Sequence, residues 1–97
     1  MIGLEAVLHR VSGLDEARLN AWIEEGWIRP ERQPGGYVFQ EIDIARCQLI
    51  LELREELEVD EAAMPVVLTL LDQLHQTRRQ LRRVAEALER ARANRGA

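Results

Sequence analysis

Apolar residues recur at helical spacing in four stretches of this chain, and a cluster of prolines and glycines interrupts them between the second and the third. The first stretch places Leu4, Val7, Leu8 and Val11 at offsets of three and four, which predicts a short helix ended by Ser12-Gly13. Asp15 and Glu16 then put negative charge at the first turn of a second helix. Its Leu19, Trp22 and Ile23 face inward, Gly26 closes it, and Trp27-Ile28 come next as a hydrophobic clasp. From Arg29 the pattern breaks. Pro30, Pro34, Gly35 and Gly36 are incompatible with continuous helix and predict a turn between two short extended pieces, with Tyr37-Val38-Phe39 as the return strand. Residues 40–57 resume helical spacing, with Ile42, Ala45, Leu49, Leu53 and Leu57 on one stripe and Ile50 broadening it.

The fourth stretch is the longest. Asp60 is the expected N-cap, and Pro65 falls in the first turns, where a missing backbone donor does least harm. Val67, Leu70, Leu74, Thr77, Leu81, Val84, Leu88 and Ala91 then alternate spacings of three and four, a heptad seam with one polar member. At the helical rise this seam spans about 36 Å, too long for a wing and three short helices to cover. Met64, Leu68 and Leu71 add a second stripe near its start, while beyond His75 those positions become Arg78 and Arg82. The proximal half is therefore expected to pack on its own domain. The distal half, Leu74, Thr77, Leu81, Val84 and Leu88, is expected to meet another chain and make a homodimer. The expected organisation is one domain: a head at 1–59, a long helix at 60–93, and a frayed tail at 94–97.

With 97 residues, 46% of them hydrophobic, the chain is long enough for one compact domain and too short for two of ordinary size. No apolar run approaches a membrane span, and the first residues lack a cationic start or a cleavage site, so a cytoplasmic location is expected. Charge is unevenly distributed. Residues 1–59 carry six Arg against twelve acidic side chains, net −6, while 60–97 carry seven against five, net +2. Candidate chemistry is sparse. His9 and His75 are far apart and, with Cys47 as the one cysteine, give no metal-ligand spacing, so no metal or cofactor is expected. Cys47 lies among Ile44, Leu49 and Ile50 and reads as a buried structural thiol. Gly35-Gly36 lacks the preceding strand and following helix of a phosphate loop, and Ser12, the one serine, has no matching base and acid. These absences argue against an enzyme.

The order helix, turn, helix, wing, helix and long heptad helix resembles the MerR-like winged helix-turn-helix. The segment Leu19-Asn20-Ala21-Trp22-Ile23-Glu24-Glu25-Gly26-Trp27-Ile28-Arg29-Pro30 looks like that family's second helix and its exit. Gly35-Gly36-Tyr37-Val38-Phe39, followed by Glu41-Ile42-Asp43-Ile44-Ala45-Arg46, looks like its wing and third helix. The CbpM-type chaperone-modulator branch is a closer match. It is carried by Trp22-Ile23-x-Glu25-Gly26-Trp27, by Gly36-Tyr37-Val38-Phe39-x-Glu41-Ile42-Asp43, by Leu51-Glu52-Leu53-Arg54, and by the stretch from Pro65 to Arg82 that includes Leu70-Leu71-Asp72-Gln73-Leu74-His75. The resemblance implies an all-α fold with a small β-wing. It also implies a bacterial protein that binds the J-domain of a CbpA/DnaJ-type co-chaperone and restrains its action on DnaK.

Charge separates this branch from its DNA-binding relatives. DNA affinity rests largely on Lys and Arg meeting phosphates, and the MerR-like regulators carry basic residues on the second helix and in the wing. Here the helix is acidic, and Val38 and Gln40 stand where those regulators tend to be basic, so nucleic acid is not the expected partner. J-domains present a basic helical surface, which an acidic head would complement. Asp15, Glu16, Glu24, Glu25 and Asp43 are the expected contact residues, with Trp27 as an apolar centre or as core. The competing reading is that these acids only solubilise the domain. The alternative function is a MerR-type DNA-binding transcriptional regulator using Arg10, Arg18, Arg29 and Arg32, and a third is a dimerisation module of some other complex.

Overall fold

The computed structural model describes residues 2–96 and contains four helices and one antiparallel hairpin among them. Helices α1 (Leu4–Arg10) and α2 (Glu16–Glu24) are joined by a tight turn in which Gly13 takes φ +88°. A side chain with a Cβ disfavours that region, which is why the first apolar stripe stops at Ser12-Gly13. Val7, Val11 and Leu14 are buried on either side of the turn. Asp15 caps α2: its Oδ1 accepts a hydrogen bond from the Arg18 backbone N–H at 2.8 Å, satisfying a donor that the first turn leaves open.

The exit of α2 sets the direction in which the chain enters the wing. Gly26 adopts φ +79°, its N–H donates to the Ile23 carbonyl at 3.0 Å, and the Trp27 N–H donates to the Trp22 carbonyl at 2.9 Å. This is a Schellman closure, in which a left-handed residue turns the chain back across the last turn. It seats Trp27 and Ile28 among the buried residues, at 6% and 1% exposure.

The wing is β1 (Glu31–Gln33) paired antiparallel with β2 (Gly36–Val38), in the register Glu31 with Val38, Arg32 with Tyr37 and Gln33 with Gly36. Pro34 and Gly35 form the two-residue turn, Gly35 at φ +110°. Beyond β2 the Phe39 N–H donates to the Ile2 carbonyl at 2.8 Å, so the start of the chain pairs with the wing's return strand. The sequence pattern carries no sign of that bridge, because a lone extended residue has no periodicity. Phe39 itself is 1% exposed.

Helix α3 (Glu41–Glu55) begins with a capping box: the Gln40 side chain accepts from the first turn, and Asp43 Oδ2 accepts from the Gln40 N–H at 2.8 Å. Its buried face is Ile44, Cys47, Ile50, Leu51 and Leu53: Ile50 and Leu53 are buried as expected, while Ile44, Cys47 and Leu51 are buried in place of the other expected members. Ile42 and Leu57 are exposed at 69% and 68%, Ala45 is exposed, and Leu49 is half-buried. Ile42 sits in the first turn beside the cap and Leu57 lies past the C-cap Glu56, so neither can anchor a helix interior. After α3 the chain reverses through Glu58 at φ +54°, and the Val59 N–H reaches the Leu53 carbonyl at 2.9 Å.

The chain divides after Glu61 into two compact units. The second is built on α4 (Met64–Arg95), about 48 Å long at the helical rise, with Ala63 as N-cap and Pro65 in its first turn. Asp60 is therefore not the cap. It precedes a turn at 61–63 that defers the helix until the proline falls where no intrahelical donor is required. Met64 and Leu68 are buried, and Leu70, Leu74, Leu81, Val84 and Leu88 are exposed by 43–65%. Asn94 and Arg95, in the expected frayed tail, are helical; Ala97 lies outside the described residues.

Candidate partner-binding surface

The acidic surface is organised by α2. Burial of Leu19 and Trp22 fixes one face of the helix, and Glu16, Glu24 and Glu25 are left exposed near its two ends. Among the described residues none of these three carboxylates has a hydrogen-bond or ion-pair partner. Asp15 lies beside Glu16 but is engaged in capping. Asp43 is half-buried, on another helix, and committed to the capping box of α3. Of the two roles expected of Trp27, core or apolar contact centre, its burial fits the first: the residue is 6% exposed and its carbonyl accepts a hydrogen bond from Arg46 Nε, so it offers a partner little apolar surface.

The head arginines are placed differently from these glutamates. Arg10 makes a bidentate pair with Glu41, at 2.8 and 2.7 Å, tying α1 to the start of α3. The hydrogen bonds from Arg10 hold the Glu41 carboxyl below the usual carboxylate range and raise the Arg10 guanidinium above its ordinary value. Arg18 donates to the Gly13 carbonyl and to Glu55, both at 3.2 Å, bridging the helix-turn-helix to the end of α3. Arg29 Nε donates to the Gly26 carbonyl at 3.2 Å. Arg32 sits 5.5 Å from the centroid of the Tyr37 ring and donates to its hydroxyl at 3.0 Å, a contact within the wing that raises its pKa. Each of the four arginines that a DNA-binding reading would need is thus held by the fold itself.

The Arg10–Glu41 and Arg18–Glu55 pairs link residues 31 and 37 positions apart, so no local spacing could have exposed them. The α3 capping box was readable, because a polar residue three positions before an acid at a helix start is its signal.

A family model described as MerR HTH family regulatory protein matches residues 3–86. The chain belongs to that family. The matched span takes in the MerR-like helix-turn-helix, the wing, α3 and most of α4. No curated protein and no solved structure matches the chain. MerR-like regulatory proteins are in general not enzymes. Here an open groove of about 450 Å³ beside the wing is lined by Ile2, Glu31, Gln33, Val38, Phe39, Gln40 and Glu41, with no nucleophile among them. Among the described residues no three His, Cys, Asp or Glu side chains converge as a metal requires, and no helix is long and apolar enough to cross a membrane.

Proposed function

We propose that this MerR-like chain is a cytoplasmic chaperone modulator of the CbpM type. In this reading the acidic face of α2 binds the basic helical surface of a CbpA/DnaJ-type J-domain and restrains that co-chaperone's action on DnaK. The observation that carries the proposal is the contrast on the head. Arg10, Arg18, Arg29 and Arg32 are all held by internal partners, while Glu16, Glu24 and Glu25 project without any among the described residues. Such a surface attracts a cation-rich partner and repels a phosphate backbone. The exposed seam of α4 would join two copies, presenting two acidic heads per assembly.

The description of the family as regulatory supports a second reading, DNA binding by the helix-turn-helix. It would require freeing arginines from their present partners before counterion release could be gained. The two readings separate in one experiment on the full chain. At about 150 mM salt, where only short-range charge contacts survive, the proposal expects complex formation with a purified CbpA-type J-domain and no mobility shift of duplex DNA. Sub-micromolar, salt-sensitive binding to the duplex with no response to the J-domain would sink it.

A further inference from the structure

One block of α4 carries charge that the helix itself does not balance. Arg78, Arg79, Arg82 and Arg83 are all exposed, and among the described residues none of their guanidinium groups has a hydrogen-bond or ion-pair partner. From Gln73 to Ala85 there is no acidic residue, and Glu86 is the one acid at helical spacing from the block. Arg78 with Arg82 and Arg79 with Arg83 stand at i and i+4, where like charges disfavour a helix. A merely solvated face would gain from alternating signs, as the spacing of Glu86 to Arg90 and of Glu89 to Arg92 does further along.

The block also has a direction. At about 100° per residue, the four arginines fill a sector centred about 145° from the line of Leu74, Leu81, Val84 and Leu88, so the cationic and apolar faces of α4 point nearly opposite ways. Whatever covers the leucines leaves the arginines open. We infer that this cationic face docks an acidic helical segment of a partner protein, one that carries carboxylates at i and i+4. Each of the two arginine rows rises about 6 Å from one residue to the next, and carboxylates four residues apart on a helix lying along α4 repeat at the same interval. Each guanidinium fork then takes one carboxylate through two parallel N–H···O bonds. Neither the glutamates of α2 nor a J-domain takes part, so this surface and that reading fail independently.

Other polyanions fit this face less well. A nucleic-acid strand presents a charge about every 3.4 Å, which does not keep step with rows of about 6 Å. Single strands are held largely by stacking on aromatic side chains, and residues 64–97 contain no Phe, Trp or Tyr. An anionic bilayer would take α4 by its apolar face, which turns the arginine block away from the headgroups.

The test is fluorescence anisotropy of the full chain at about 100 mM salt with two labelled, alanine-rich helical peptides of equal composition. One bears glutamates at i, i+1, i+4 and i+5, and the other has the same number spread evenly round the helix. The first is expected to bind about tenfold more tightly than the second, the sum of four exposed charge pairs. Combining Arg78→Gln, Arg79→Gln, Arg82→Gln and Arg83→Gln, with native helicity checked by circular dichroism, should remove that preference. Arg90→Gln with Arg92→Gln should keep the affinity within about twofold of wild type. Equal binding of the two peptides by wild type, a comparison that needs no variant, would overturn the surface, as would wild-type affinity in the folded fourfold variant. Tighter binding to a DNA duplex or to phosphatidylserine vesicles than to the first peptide, lost in the fourfold variant, would assign the face to a phosphate-bearing partner and overturn the acidic segment as its occupant.

Discussion

Single residues set the turns on which the head depends, and two residues of the head make separable predictions. Gly26 holds φ +79°, and a Cβ built there would meet nothing within 4 Å, so substitution carries a conformational cost without a steric clash. Gly26→Ala is expected to destabilise by about 1–2 kcal/mol, read as a lower urea midpoint, and Gly26→Asn by less because asparagine tolerates the left-handed region. Equal midpoints for glycine, alanine and asparagine would contradict the closure described for α2. Cys47 is 0% exposed, and burial, with a smaller contribution from Asp43, pushes its thiol up to about 11. The buried thiol is protonated at neutral pH and should react with a disulfide reagent only on unfolding. Because the folded pKa lies above the unfolded value, the unfolded chain binds fewer protons between about 9 and 11, and stability should fall as pH rises through that window. Native-state labelling as fast as that of the denatured chain would contradict the burial. Gly26 and Cys47 were both legible in sequence, the one from its place after an apolar stripe, the other from its apolar neighbours. Trp27 was not, since an aromatic at a helix exit serves core and contact equally well until its exposure is known.

At the scale of elements, the four helices and the hairpin arise from periodicity and turn chemistry, but the orientation of α3 does not. Two sets of apolar positions flank the shared Ile50 and Leu53 in that helix: Ile42, Ala45 and Leu49 on one side, and Ile44, Cys47 and Leu51, the buried ones, on the other. Periodicity alone does not weigh them. The capping box starts the helix at Glu41, which leaves Ile42 in a solvated first turn. The start of α4 was also displaced, because a good capping residue at Asp60 competes with the better place for Pro65 that a start at Met64 provides. The apolar spacing along α4 was legible in the sequence, and the structure shows Leu70, Leu74, Leu81, Val84 and Leu88 exposed. Leu81, Val84 and Leu88 are 65%, 56% and 60% exposed, and covering each completely is worth about 1.5–3 kcal/mol. Leu81→Asp combined with Val84→Asp should therefore yield a monomer in sedimentation velocity while leaving the head folded. Wild type already monomeric at high concentration would contradict the seam.

Over the whole molecule, the opposition of an acidic head and a cationic helix end was visible in the order of residues, whereas the division between held and free charges was not. Pairs such as Arg10 with Glu41 and Arg18 with Glu55 join distant segments, and with the local bonds of Arg29 and Arg32 they distinguish an arginine fixed in the fold from one available to phosphate. Being exposed, these pairs add little to stability, and their importance is that they remove cations from the surface. What remains on α2 is Glu16, Glu24 and Glu25. The central claim is that these glutamates steer a J-domain onto the head. Surface-plasmon kinetics against a CbpA-type J-domain, over a salt series and with Glu24→Arg and Glu25→Arg combined in a variant of native circular dichroism, test it most directly. The account predicts wild-type association that slows as salt rises, and a mutant whose association rate is several-fold lower at low salt and nearly insensitive to it. A folded mutant with unchanged rates and unchanged salt dependence would mean that the glutamates are only a solvated face.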